Sequence, residues 1–531
     1  MMLLFAALVF AAPPPGGSAG GDVQYDKKGI DDDSGDKLED PTGVPSPELK
    51  PDPYDDRIDE DEGEPPPPLE LPPDGLALRP GLPYLDRDII APRSYPAGRG
   101  SATVSLQSIG EDDYLSLNIG YVFQKDKWRV APRLPLRFRI NDEPPETDDV
   151  IRVEDYDEVS DFARILAFVQ YGHVGDPLVV RYGEMNGITI GHGSIVNRYF
   201  NTIDIDHYQG GVYAFGDADL IGAEGVLNDV FDPNVLVGRV FTRPLWFIKD
   251  LPLPLHGLKI GVTAGADFAA PLAIKQQGEK LFTTPEWEPE VLVKRATGMY
   301  ALDLEVPCVS TPHLDVVPYV DLATRDFETL GVHVGSFVNV RVTRKTTLRA
   351  RIEYRHIGAG HDPGYISPFY EIERFAYPAP LLGSEVDGEL GGLPKLRLAQ
   401  AQLPPFARSY DGAHLELDLR IERALALSVL FTSSGRTPRY DLLTRLKLPN
   451  LGPLRLTLFL ARLGFDDFDF SEIFGNERTV MGISMRLMVV GPFFMRAKIV
   501  KEWWLARDGS GASGYRTVTD WDLGAGVILD F

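Results

Sequence analysis

The sequence predicts an all-β protein, a transmembrane antiparallel β-barrel of about 18 strands within a range of roughly 16–20. Three observations predict it. From about residue 101 onward apolar and polar residues alternate with a period of two, and the alternation runs to the C-terminus. The alternating segments are mostly about 9–13 residues long, the length a tilted strand needs to cross a bilayer. Connections between them are short and polar in many places and long in others, as in a barrel whose two ends differ.

Taken in order, the chain opens on an apolar stretch from Met1 to Ala12 that stops at Pro13-Pro14-Pro15. A short apolar core followed by small residues is the pattern of a secretory signal peptide, here without the usual basic start. Residues 1–12 are therefore expected to be a signal peptide.

Residues 13–98 read as a disordered, acidic, proline-rich arm. Prolines cluster at Pro65–Pro68 and acids at Asp31–Asp33 and Asp59–Glu62. Positions 22–98 hold 21 acidic and 8 basic residues, about half of the formal net charge of −25. Such a segment buries too little apolar surface to offset its ordering entropy. A solvated spacer is the expectation; an arm that binds an envelope partner or divalent cations weakly is the alternative.

The barrel is expected over 99–531. In Ala413–Glu422, Ala413, Leu415, Leu417, Leu419 and Ile421 oppose His414, Glu416, Asp418, Arg420 and Glu422. In Thr347–Arg355, Leu348, Ala350, Ile352 and Tyr354 oppose Thr347, Arg349, Arg351, Glu353 and Arg355. The last segment sets Trp521, Leu523, Ala525, Val527, Leu529 and Phe531 against Asp520, Asp522, Gly524, Gly526, Ile528 and Asp530. Successive strand side chains point to opposite faces, so each segment has one apolar and one polar face. The polar faces need water, which a barrel lumen supplies. Arg349, Arg351, Glu353, Arg355, His414, Glu416, Asp418, Arg420, Asp520 and Asp522 are accordingly the pore-lining candidates. Long loops are expected at about 141–159, 273–298 and 358–409, by default solvated; for Asp142–Asp157 and 358–409 calcium-binding edges or a lumen plug are the alternatives.

Composition removes several functions. The acidic balance argues against nucleic acid, whose phosphates need a basic surface. No run approaches the ~18–20 apolar residues of a spanning helix. Cys308 is the one cysteine, so there is no internal disulfide and no Cys/His metal cluster. Asp204, Asp206 and His207 are a poor single-strand cation site, because His207 falls on the other face. No metal and no cofactor are expected.

The C-terminal Leu529-Asp530-Phe531 resembles the terminal signal of bacterial outer-membrane barrel proteins. That resemblance implies that Phe531 is read by the barrel-assembly machinery. It also implies that the chain resides in outer-membrane lipid of a Gram-negative cell envelope, with the arm on the periplasmic side. The stretch from Arg181 to Gly193, with Arg198 to His207, is similar to a motif of large, mostly uncharacterised barrels of that class.

A narrower resemblance lies in Gly187–Phe200. His192-Gly193-Ser194 looks like the His-x-Ser of outer membrane phospholipase A, a barrel enzyme whose site faces the bilayer. There a following Asn orients the histidine; Asn197, in Asn197-Arg198-Tyr199, comes closest. If the stretch is one strand, His192 and Ser194 share the more apolar, lipid-facing side, whereas parity puts Asn197 on the other face. A base whose partner points away makes no triad. The expectation is therefore no catalytic residue, with His192, Ser194 and Asn197 as candidates for a runner-up hydrolase. The leading expectation is a porin-like passive channel for small polar solutes; the alternative is a non-conducting scaffold barrel of the cell envelope.

Overall fold

The computed structural model describes residues 98–530, apart from breaks at 111, 144–147, 173–175, 203–207, 249, 278–279, 285–287, 344–345, 378–392, 404, 422–423, 436–439, 476–477 and 509–510. The expected signal peptide, the acidic arm to residue 97, Asp204, Asp206, His207 and the terminal Phe531 lie outside the described residues.

Twenty strands follow one another around the sheet, each paired antiparallel with the next, from Gly98–Ile109 to Gly511–Asp530. The first and last strands then pair with each other, Arg99 opposite Asp530 through Gln107 opposite Asp522, and close the barrel. A two-residue strand, Val309–Ser310, adds to one edge and makes 21 strands in the sheet. The expected number, about 18, was low, and the full sheet exceeds the 16–20 range. The extra strands are short ones, such as Leu166–Tyr171, Leu178–Gly183 and Ile221–Leu227. They carry too few alternations to stand out from sequence.

The two ends differ. At one end lie the turns at 126–127, 219–220, 452–453 and 491–492, together with both chain ends of the barrel. At the other lie the long connections 142–165, 184–210, 275–290 and 358–409.

The wall has inverted polarity. Along Lys259–Ile274, Lys259, Thr263 and Asp267 are buried while Ile260, Val262 and Phe268 are exposed. Around the wall Leu106, Ile119, Val240, Leu302, Ile352 and Leu523 likewise face outward and exposed, whereas Arg239, Arg351 and Glu353 face inward and are almost fully buried. Each outward aliphatic left in water forfeits about 1 kcal/mol or more. Dozens of them would exceed the roughly 5–15 kcal/mol net stability of a folded domain. This outer surface suits an apolar solvent.

The interior is occupied toward the long-loop end, where plug residues pack on Val179, Tyr213 and Val237 of one part of the wall and on Ala461, Leu463, Val480 and Trp503 of another. Two long loops of the same end fold inward, residues 184–202 and 358–377, and meet through a parallel bridge between Val196 and Ile366. Ile188, Ile190, Ile195, Val196, Tyr199, Tyr365, Ile366 and Tyr370 from the loops pack on Val179, Tyr213, Phe215, Val237, Phe241 and Met299 of the wall. The described parts of the 358–409 connection thus form a lumen plug, with short helices at Tyr370–Glu373 and Lys395–Gln400. Its solvated default does not hold, because the loop carries enough apolar residues to form a second cluster around Phe369, Ile372 and Phe375. Nor is the 141–159 loop merely solvated. Asp155, fully buried, takes ion pairs from Arg137, Arg152 and Arg164 at 2.5, 2.9 and 3.0 Å.

Candidate functional site

Gly187–Phe200 does not run as a wall strand. Gly191 and Gly193 have φ of +57° and +77°, and Arg198 has +52°, so the chain leaves the pleat three times within eight residues. Glycine tolerates these angles without the Cβ clash that other residues meet. The two neighbouring glycines turn the segment into a tight loop pressed against the inner wall. His192 and Ser194 are 1% and 5% exposed, inside the barrel rather than on its lipid side.

What surrounds His192 comes from distant strands. Its Nε2 lies 3.4 Å from Glu305 Oε1, and its Nδ1 lies 3.5 Å from Asp321 Oδ2 and 4.0 Å from Asp303 Oδ1. The imidazole stacks on Tyr319, with ring centroids 4.0 Å apart. Burial opposes a charge on His192, but Asp321, Glu305 and Asp303 facing it outweigh that cost, and the group is pushed up to about 9. Ser194 Oγ donates to Asp321 Oδ2 at 2.8 Å. The Gly191 amide donates to Glu224 Oε1 at 3.0 Å.

His192, Asp303 and Glu305 bring their ligand atoms within 4.8 Å of one another, the spacing of a metal cluster. The carboxylates are already engaged. Arg239 donates to both oxygens of Asp303 at 2.8 and 2.6 Å and to Glu305 Oε1 at 2.9 Å, and Lys259 Nζ donates to Glu305 Oε2 at 2.7 Å. A divalent ion would have to displace two cations in a buried site. A protonated His192 fits the arrangement directly, and the junction is best described as an electrostatic latch between plug and wall.

The pore-lining candidates divide. Arg351, Glu353, Arg355, His414 and Glu416 face inward and are buried in one network. Arg351 reaches Glu353 at 2.7 Å and Glu416 at 3.2 Å, His333 reaches Glu353 at 3.0 Å, and His414 reaches Glu416 at 2.9 Å. Arg355 and Tyr319 also hydrogen-bond Glu353. The plug enters this network through Arg198, 3.5 Å from Glu416 and 3.8 Å from Asp418. All five are buried on the inner wall, where Glu416 meets Arg198 of the plug and Arg351 lies beside Gly193.

Arg349, Asp418 and Arg420 are half-buried on the same inner face nearer the short turns. Asp520 and Asp522 are buried too; Asp520 accepts the Gly110 amide at 3.0 Å and Asp522 takes Arg496 at 2.6 Å. Asn197, the candidate orienting residue, donates its backbone N–H to Ile366 O, and its side-chain oxygen makes no hydrogen bond to His192.

Farther round the barrel the inner face changes character. On Tyr440–Leu451, Leu454–Phe465, Thr479–Val490 and Phe493–Asp508 the inward positions include Arg445, Lys447, Arg455, Thr457, Ser484, Arg486, Arg496 and Lys498. Ser484 and Lys498, opposite each other, are exposed, and the others are half-buried. Asp303, Glu305, Asp321 and Arg239 were missed from sequence, although Asp303 and Glu305 alternate with Leu302 and Leu304 as plainly as any inner-face pair.

No family model matches the chain, and no curated protein matches it. Among solved structures, the ferric enterobactin receptor PfeA of Pseudomonas aeruginosa, in complex with enterobactin, is similar at 12% identity and TM-score 0.35, over 82% of each chain. Wzi, an Escherichia coli outer membrane protein involved in group 1 capsule assembly and titled a carbohydrate-binding β-barrel, is similar at 10% identity and TM-score 0.31, over 82% of this chain and 85% of that one. OccK11 of Pseudomonas aeruginosa is similar at 8% identity and TM-score 0.31, over 81% of this chain and 96% of that one.

Proposed function

We propose that this chain is an outer-membrane β-barrel whose half-plugged lumen passes small polar solutes along its hydrated wall. The observation that carries the reading is the contrast between two stretches of the inner wall, one under the plug and one nearer the short turns. Arg351 and Glu353 are buried against the plug, whereas Ser484 and Lys498 face inward and are exposed. The apolar outer face is the surface that meets lipid, and pairing of the first strand with the last leaves the sheet no free terminal strand. The first strand begins at the short-turn end, the periplasmic end in bacterial barrels, so the acidic arm leaves on that side.

The reading assigns no covalent chemistry. A serine nucleophile needs its hydroxyl on the base, and the Ser194 hydroxyl is given to Asp321. A second reading, a non-conducting scaffold barrel, is favoured by the dry plug core around Val196, Tyr199 and Ile366. Planar-bilayer recording of the refolded full chain separates the two. Small, stable conductance steps are expected, and their absence would favour the scaffold.

A further inference from the structure

We propose that Arg325, Asp321, His333 and His361 form an internal site, where the plug enters the wall, for a small oxyanion that still carries a proton. Bicarbonate and hydrogen phosphate have that chemistry. The site depends on the plug and not on whether the lumen conducts.

Arg325 ends the strand Leu314–Arg325, faces inward and is 3% exposed. All three of its guanidinium nitrogens lack a hydrogen bond, and no carboxylate of the described residues comes within ion-pair distance of it. Burying a charge without a counter-charge is strongly unfavourable. Elsewhere on the wall Arg239 has Glu224, Asp303 and Glu305, and Arg351 has Glu353 and Glu416. The acids nearest Arg325 in sequence and on the plug are engaged. Asp326 takes Thr297 Oγ1 at 2.9 Å and the Gly298 amide at 2.7 Å, and Asp362 takes Lys395 Nζ at 2.8 Å.

Register and the plug bring further unpaired groups to it. His333 stands directly opposite Asp321, and the next inward pair toward Arg325 is Gly331 with Ala323. These two small residues leave room on the wall, and His361 of the plug occupies it. A Cβ on Gly331 would stand 2.5 Å from His361 Nε2 and 3.2 Å from His333 Nε2. Both Nε2 atoms are buried without a hydrogen bond, and so is Asp321 Oδ1. The far ring nitrogens are held, His333 Nδ1 by Glu353 at 3.0 Å and His361 Nδ1 by Thr329 Oγ1 at 3.2 Å. Thr329 Oγ1 accepts the Arg325 amide, so its own proton is available to His361 Nδ1 and the ring proton of His361 sits on Nε2. Burial pushes His361 down to about 3, with His333 and Arg325 adding to it against Asp362 and Asp321. A neutral imidazole therefore leaves the Arg325 charge uncompensated.

The unpaired groups select the occupant. A guanidinium has donors and no lone pair, so whatever meets Arg325 must accept hydrogen bonds and is not a metal ion. An ionised Asp321 Oδ1 only accepts, so the occupant must also donate. Chloride has no proton to give, and water brings no charge. An oxyanion with one O–H meets both demands, two oxygens toward the guanidinium fork and its hydroxyl toward Asp321. Bound there, it would tie His361 of the plug to two strands of the wall.

Limited proteolysis of the 358–377 loop in the refolded full chain tests the site, in sodium bicarbonate, phosphate, chloride and gluconate at one ionic strength and one pH near neutrality. Cleavage should be about tenfold slower in bicarbonate or phosphate than in chloride or gluconate, because a ligand that binds only the docked plug stabilises it by mass action. In Arg325→Gln that difference should vanish. In gluconate this variant should also resist cleavage better than the native chain, since an unpaired buried charge is gone. His361→Phe, on the plug itself, should lose the difference too, and heat-modifiable gel migration checks that each variant is folded. His192→Gln, which loosens the plug elsewhere, should keep it. Equal rates in all four salts, protection by chloride equal to that by the oxyanions, or a salt difference that survives in Arg325→Gln would each overturn the site.

Discussion

Ser194 and Asp321 are joined by a 2.8 Å hydrogen bond across 127 positions of sequence. The same Asp321 oxygen lies 3.5 Å from His192 Nδ1. One wall carboxylate therefore contacts both residues that looked like a nucleophile and its base. In the proposed reading, what resembles catalysis in sequence fastens the plug to the wall.

The first prediction concerns that fastening. Asp321→Ala should lower stability by about 2–3 kcal/mol, because a buried charge loses one of its carboxylate neighbours and a buried hydroxyl loses its acceptor together. Ser194→Ala should cost only about 1 kcal/mol, since the hydroxyl leaves with its bond. Urea unfolding in lipid vesicles, followed by tryptophan fluorescence, reads both. Equal losses would mean that Asp321 does not anchor His192.

The latch should also respond to pH. His192 is raised from an ordinary 6.5 to about 9 by the acids around it. A group raised on folding contributes its full stability below its unfolded value and loses it as pH rises through the folded one. Plug docking should therefore be strongest below about pH 6.5 and weaken steadily to about pH 9, by an amount on the order of 3 kcal/mol. Proteolysis of the 184–202 and 358–377 loops, measured from pH 6 to 10, should accelerate across that window. In His192→Gln the acceleration should vanish.

Much of the wall was legible because a strand's period is fixed by its backbone. Alternation alone put Arg351, Glu353, Glu416 and Asp418 on the inner face and Leu415 and Ile352 on the outer. The plug was not legible by the same rule. Ile188, Ile190, His192 and Ser194 alternate like a strand, but alternation cannot register that Gly191 and Gly193 have left the pleat. The partners of His192 lie more than 100 positions away, so no local spacing points to them. One signal was available: a solvated 358–409 loop has no use for Tyr365, Ile366, Phe369, Tyr370 and Ile372 in succession.

Gly193 supplies the third prediction. A Cβ there would stand 2.9 Å from Asn197 Oδ1 and 3.1 Å from Arg351 Nη1, at a φ of +77°. Gly193→Ala would strain the backbone and push Arg351 away from Glu416. A loss of about 1–3 kcal/mol is expected, with increased proteolysis of the 184–202 loop. Gly452→Ala, also at positive φ but with nothing within 4 Å, should cost about 1 kcal/mol and leave the plug unaffected.

The last prediction tests which solvent the outer face meets. Leu523 is 54% exposed, midway along the final strand, between Ala497 on one side and the 46% exposed Leu106 on the other. In water a charge at so exposed a position costs almost nothing and improves solubility. In a bilayer the guanidinium of Leu523→Arg would sit in hydrocarbon at a cost of about 2–4 kcal/mol, falling toward the interfaces. The same substitution at Leu529, near the strand end, should cost less because its side chain reaches the interface. Folding free energies of the two variants in vesicles should therefore differ, with Leu523→Arg the more costly. Equal and negligible effects would mean that the apolar face is covered by protein or water instead of lipid.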